Sequence, residues 1–137
     1  MADLSITAAN VTKGAGAQVG NGVAGATIAT GQPLYEDGSA NNTLKPADAN
    51  ASQAAARVKG IALHPSLAGQ PIAYQYGGDL NVGAILTVGE LYVLSATVGD
   101  ICPASDGASG MYTTVLGFGK TTSVLSLDII NADVARA

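Results

Sequence analysis

Runs of β-branched or alternating residues, each cut off by Gly, Pro, Asn or Asp, recur every eight to twelve residues along this 137-residue chain. That spacing suits short strands joined by tight turns, so it predicts an all-β fold, a small sandwich or barrel. The runs fall at residues 4–8, 25–29, 33–36, 58–64, 71–76, 84–87, 91–95, 111–118 and 123–130. The pairs Gly20-Asn21, Asp37-Gly38 and Gly77-Gly78 tolerate positive φ and are expected to be turns.

Two segments depart from this rhythm. Residues 48–57 are rich in Ala, the best helix former, and offer Asn50 as an N-cap with Gln53 three residues on, which predicts one short helix. Its Ala51, Ala54, Ala55 and Val58 would form a stripe able to lie close over a sheet. Residues 1–24 include the Gly-rich run from Lys13 to Gly22 and read as an N-terminal arm or wide loop, ahead of a single β-rich domain at 25–137.

Sliding the sequence against itself exposes an internal repeat. Gly25-Ala-Thr-Ile-Ala-Thr-Gly31-Gln32 matches Gly83-Ala-Ile-Leu-Thr-Val-Gly89-Glu90 at an offset of 58. Pro46-Ala47 then matches Pro103-Ala104, and Val58-x-Gly60 matches Val115-x-Gly117, at an offset of 57. These matches predict two β units of about 57 residues, at 25–82 and 83–137, with the helix of the first reduced to a Gly-broken loop in the second. Tyr35 and Tyr92 fall near equivalent places in them.

The composition limits what such a fold can do. Charged residues are 12% of the chain, with one His, one Cys and no Trp. His64 is the only imidazole and no Gly-x-Ser-x-Gly turn accompanies it, so a nucleophilic triad is not expected. Cys102, between Ile101 and Pro103, reads as a small buried hydrophobe. Zinc would need more His and Cys ligands than the chain has. The oxygen-rich stretch from Glu36 to Asn42 reads as a hairpin turn rather than a calcium loop. The glycines at 14, 16 and 20 lack dinucleotide-binding spacing, and Gly119-Lys120-Thr121 lacks the upstream glycine of a phosphate loop. The expectation is a protein with no catalytic activity, metal or cofactor.

Net charge is −4, and the six basic residues (Lys13, Lys45, Arg57, Lys59, Lys120 and Arg136) form no run, which argues against nucleic acid as a partner. Neither a basic, apolar leader nor a membrane-spanning stretch is present, so a soluble protein made in a cytoplasm is expected. Hydrophobic residues reach 47%, but much of that is Ala, and 18 Gly with five Tyr and one Phe leave little bulk for the core. A thin core in a charge-poor chain points to apolar surface buried against copies of itself or a partner. Leu4, Ile6, Val11 and Val19 are the expected partner-interface residues, because a poorly self-packing arm has little other use for them. Tyr74 and Tyr76, on one strand face, suit packing, or less readily a carbohydrate platform.

The succession Gly31-Gln-Pro-Leu-Tyr-Glu-Asp37, Ala47-Asp-Ala-Asn50, Gly60-Ile-Ala-Leu-His64, Ala68-Gly-Gln-Pro-Ile72, Leu91-Tyr-Val-Leu-Ser95, Ile101-Cys-Pro103 and Val115-Leu-Gly117 resembles small virion proteins of tailed bacteriophages. Within that group the similarity is to capsid decoration, or cement, proteins, across residues 25 to 130. The resemblance implies a β-rich homotrimer or similar small oligomer bound to the outer face of the shell built by the major capsid protein. It also implies a virion location after synthesis in the host bacterium. Competing readings are a head-fibre, spike or tail module that contacts a host receptor or glycan and, weakest, a virion-associated hydrolase.

Overall fold

The computed structural model describes residues 3–107 and 109–136. The chain is nearly all β, 47% strand, and its antiparallel sheet curls into a half-barrel. Among the described residues ten strands form it: β1 (Thr12–Lys13), β2 (Gln18–Val23), β3 (Pro33–Asp37), β4 (Thr43–Pro46), β5 (Val58–Ala62), β6 (Pro71–Asn81), β7 (Leu91–Leu94), β8 (Ile101–Pro103), β9 (Tyr112–Gly119) and β10 (Val124–Ala135). Along the sheet they run β4-β3-β5-β6-β10-β9-β7-β8, with β1 and β2 both on β6.

That order has the same plan read from either end. β3 and β4 form a hairpin, β5 pairs with β3 and then with β6; β7 and β8 form a hairpin, β9 pairs with β7 and then with β10. The equivalence extends to register. Leu34 faces Pro46 and Tyr35 faces Lys45, as Tyr92 faces Pro103 and Val93 faces Cys102. Each unit carries a bulge at the same place: Lys59 is the extra residue between β3 and β5, and Leu116 between β7 and β9. Gly31 N–H donates to Ala62 O and Ala62 N–H to Gln32 O; Gly89 N–H donates to Gly119 O and Gly119 N–H to Glu90 O. By this register Tyr92 is equivalent to Leu34, one place from the expected Tyr35.

The unit limits differ from the sequence expectation. Asn21 faces Ala73, Gly22 faces Ile72 and Val23 faces Pro71, just as Asp79 faces Ser126, Leu80 faces Leu125 and Asn81 faces Val124. Each unit therefore begins one strand earlier than residue 25 or 83. The long strand β6 ends the first and starts the second.

In the first unit the ladder returns on itself. β2 follows β6, β5, β3 and β4, and a parallel bridge joins Ala24 to Leu44. Its interior holds Ala24, Ile28, Leu34, Leu44, Ala62, Ile72 and Tyr74. The equivalents Val82, Leu86, Tyr92, Ile101, Leu125 and Leu127 lie in the second, larger cluster. There the seam is filled differently. Gly25 N–H donates to Leu44 O in the first unit, whereas the equivalent acceptor, Ile101 O, receives Leu4 N–H.

Several local expectations need correction. Residues 12–13 and 18–23, read as part of an arm, are strands on β6. Gly20 and Gly22 hide β2 from a propensity reading, yet a Cβ at Gly20 would meet the Tyr74 ring at 2.6 Å and one at Gly22 would meet Leu44 Cδ1 at 2.7 Å. Gly20-Asn21 and Gly77-Gly78 lie inside strands rather than at turns. Residues 4–8 and 84–87 are not strands, and residues 25–29 contribute only the Ile28–Ser66 bridge.

The Ala-rich segment forms no α-helix, only a 3₁₀ turn at Ala54–Ala56; the 3₁₀ turn of the second unit, Ala104–Asp106, directly follows β8 and corresponds by register to residues 47–49. Asn50 does not cap it; Ser52 Oγ accepts from Ala55 N–H. The segment is instead held flat by long-range bonds, Tyr112 N–H to Ala49 O and Thr114 Oγ1 to Ala56 O. Ala55 and Ala56 are buried beneath it, while Ala51 and Ala54 face outward. Tertiary hydrogen bonds here outweigh intrinsic propensity.

Candidate interaction surfaces

The chemically able side chains are tied into structural bonds. His64 Nε2 accepts from Ala73 N–H at 3.0 Å, and Nδ1 lies 2.9 Å from Pro65 O. Cys102 is fully buried in the core, and burial, reinforced by Asp3 and Asp106, pushes its thiol up to about 11. A thiol so placed is a poor nucleophile. Burial, with Asp3 nearby, also raises the Asp100 carboxyl.

The oxygen-rich turn between β3 and β4 is a self-contained ion-pair network. Asp37 receives Lys45 Nζ at 2.8 Å, Ser39 Oγ at 2.7 Å and Ser39 N–H at 3.0 Å. These bonds, Lys45 foremost, hold its carboxyl at about 2. Asn41 and Asn42 complete the turn in left-handed conformation at φ 59° and 57°. Among the described residues, no group of three or more His, Cys, Asp or Glu is placed to hold a metal ion. Nor is any helix among them long and apolar enough to cross a membrane.

A concavity opens where β5 and β10 part company beside β6. It is a groove of about 500 Å³ lined by Val19 and Gly20 from β2, Val58 and Lys59 from β5, Tyr74 and Tyr76 from β6, and Ile129 and Asn131 from β10. The two tyrosine rings lie 6.3 Å apart and tilted by 53°. Asn131 Oδ1 spans the fork by accepting Val58 N–H at 3.0 Å, and Asp133 pairs with Arg57 Nε at 2.9 Å. Tyr76 stands exposed at the groove, so it presents an aromatic face beside a cation and an amide.

A second surface lies at the far side of the second unit. Leu91 and Phe118 face each other across β7 and β9, and both are exposed, at 43% and 44%. Val88, three residues before Leu91, is 63% exposed.

The four residues expected to form a partner interface separate. Val11 is buried in the chain's own core, and Leu4 and Ile6 pack against that core partly buried. Their apolar surface is used within the molecule, because the N-terminal segment fills the seam of the second unit. Val19 stays 38% exposed, at the tyrosine groove. Sequence reading passed over Val88, Leu91 and Phe118. The sequence carries no signal for them, since the equivalents of Leu91 and Phe118 by register, Pro33 and Ile61, are apolar and buried.

No family model matches the chain, and no curated protein matches it either.

Proposed function

We propose that this chain is a non-enzymatic virion structural protein. It is a capsid decoration, or cement, protein that binds the outer surface of the shell formed by the major capsid protein and stabilises the head. One observation carries the reading toward binding: large apolar side chains, led by the Leu91–Phe118 pair, stand exposed on the ordered framework of a charge-poor protein. The resemblance of residues 25 to 130 to decoration proteins supplies the partner, and with it a homo-oligomeric, trimeric form at the capsid surface. A protein that prefers the mature shell over its alternatives stabilises that state in proportion to its differential affinity.

Sedimentation of the purified chain with and without empty capsids that lack it tests this. Co-sedimentation saturating at a number set by the capsid symmetry is expected; recovery of the chain only in the supernatant would sink the reading.

The tyrosine groove favours a second reading, a head-fibre, spike or tail module that contacts a host glycan. Tyr76 offers the stacking face, with Lys59 and Asn131 beside it. Quenching of tyrosine fluorescence by host polysaccharide, lost in Tyr76→Ala, would support it over the first.

A further inference from the structure

The fork between β5 and β10 gives the tyrosine groove a feature that the second unit lacks. In that unit β9 stays on β10 from Gly119 to Tyr112, through two register shifts, and its bulge residue, Leu116, is fully buried. In the first unit β5 meets β6 only at Ile61 and Ala62, and the bulge residue at the same place is Lys59, which stands exposed at the groove. Lys45, Arg57 and Lys120 are each held by an aspartate, whereas among the described residues no carboxylate pairs with Lys59. None of the residues lining the groove is acidic either. An acidic protein thus keeps an uncompensated cation in a concavity without acids.

The groups beside Lys59 define what this cation can hold. Asn131 Oδ1 accepts Val58 N–H at 3.0 Å, which fixes the amide and leaves its NH2 to donate elsewhere. Two donors with no opposing acid select an anion. Tyr76 adds an aromatic face whose seat is set by Tyr74, 6.3 Å away. Tyr74 is itself wedged between strands, since a Cβ at Gly20 or Gly60 would meet its ring at 2.6 or 2.5 Å. A ligand that covers such a ring and carries its charge alongside is an acidic sugar, with an apolar C–H face and a carboxylate on one ring. The site also continues past the cation. A neighbouring concavity of about 410 Å³ shares Val58, Lys59 and Asn131 with the groove and leads on to Arg57, Asn42 and Glu36, so there is room for a chain on both sides of Lys59. A nucleic acid strand fits less well, because its successive phosphates call for a run of cations and this chain has a net charge of −4. We propose that the groove binds a uronic acid unit within an acidic polysaccharide, the sugar face on Tyr76 and the carboxylate on Lys59 and the Asn131 NH2. This deepens the glycan reading of the groove and rests on it.

The test titrates the full-length protein, followed by NMR, with tetrasaccharides of galacturonic, glucuronic and mannuronic acid and with the same tetrasaccharides after carboxyl reduction to neutral sugars. At least one acidic tetrasaccharide is expected to shift the signals of Tyr76 and the Asn131 NH2, and to bind about tenfold more tightly than its reduced form. Lys59→Gln is expected to erase that difference, and Lys13→Gln, which removes the same charge from β1, to keep it. Tyr76→Ala is expected to abolish binding of both forms. All three side chains are exposed, and unchanged thermal melting verifies the folding of each variant. Equal binding of acidic and reduced forms overturns the carboxylate contact and leaves the glycan reading in place. Equal loss in Lys59→Gln and Lys13→Gln overturns the site in favour of diffuse attraction between charges. A thymidine oligonucleotide that shifts the same signals as strongly overturns the sugar, and failure of every tetrasaccharide, acidic or reduced, removes the glycan reading as well.

Discussion

Asp37 shows how one turn concentrates the polar chemistry of a charge-poor chain. Its carboxyl is held at about 2, below the ordinary 3.8, chiefly by the Lys45 ammonium. A carboxylate depressed in the folded state contributes stability that is fully present above pH 3.8 and is lost as pH falls through about 2. The expected result is an Asp37 titration midpoint near 2 by carbonyl NMR, moving toward 3.8 in Lys45→Met. Cys102 behaves in the opposite sense, its raised thiol unreactive at neutral pH. Native protein should resist a thiol reagent until denaturant is added, whereas a surface cysteine would react at once. Both behaviours were legible in part. The clustered acceptors of the turn and the apolar neighbours of Cys102 are plain in the sequence, but that Lys45 reaches Asp37 depends on the β3–β4 register.

At the level of elements, β6 is the demanding one. Gln75 is buried within it and donates through Nε2 to Gly77 O at 3.0 Å and Asp79 O at 2.8 Å, holding the strand as it passes from one unit to the next. Gln75→Leu removes this donor but also a buried Oε1 without a hydrogen-bond partner, and Asp79 O keeps Gly14 N–H, so the net cost in denaturant unfolding should be about 1 kcal/mol. The bulge between β7 and β9 is equally strict. A Cβ at Gly117 would sit 2.0 Å from Ser126 O, so Gly117→Ala should destabilise by about 1–3 kcal/mol or more.

Six strands are recognisable from alternation: those around 33–37, 58–62, 71–81, 91–94, 112–119 and 124–135. The others were hidden for physical reasons. β2 is Gly-rich because large side chains from β6 and β4 crowd it, while β4 and β8 are short and end in Pro46 and Pro103. The Ala-rich segment misleads in the other direction, because its backbone is pulled flat onto the second unit.

Over the whole molecule, the two halves of the sheet share one strand plan, β4-β3-β5-β6 and β8-β7-β9-β10. Matching glycines and prolines marked positions where register forces the same residue in both units. They could not mark a strand belonging to two units at once. For the same reason the N-terminal segment looked unattached, since its partners Ile101, Gly31 and the edge of β6 lie far along the chain. Removing residues 1–11 should therefore lower the melting temperature and expose the core to a hydrophobic dye, with or without capsids. Removal of a free arm would leave both unchanged. The exposed patch on the second unit escaped notice because a Leu and a Phe in alternating strands look like core; only comparison with their buried equivalents marks them as outward.

The double membership of β6 sets a limit on how the protein can come apart. Along much of its length the strand is bonded on both edges, by β1 and β2 on one side and by β5 and β10 on the other. Neither unit can open without unzipping a wall of its neighbour. Amide hydrogens in the middle of β6 should then be the last in the molecule to exchange with deuterated solvent, at a rate set by global unfolding. A protease or a shear force acting on one unit would meet the stability of both.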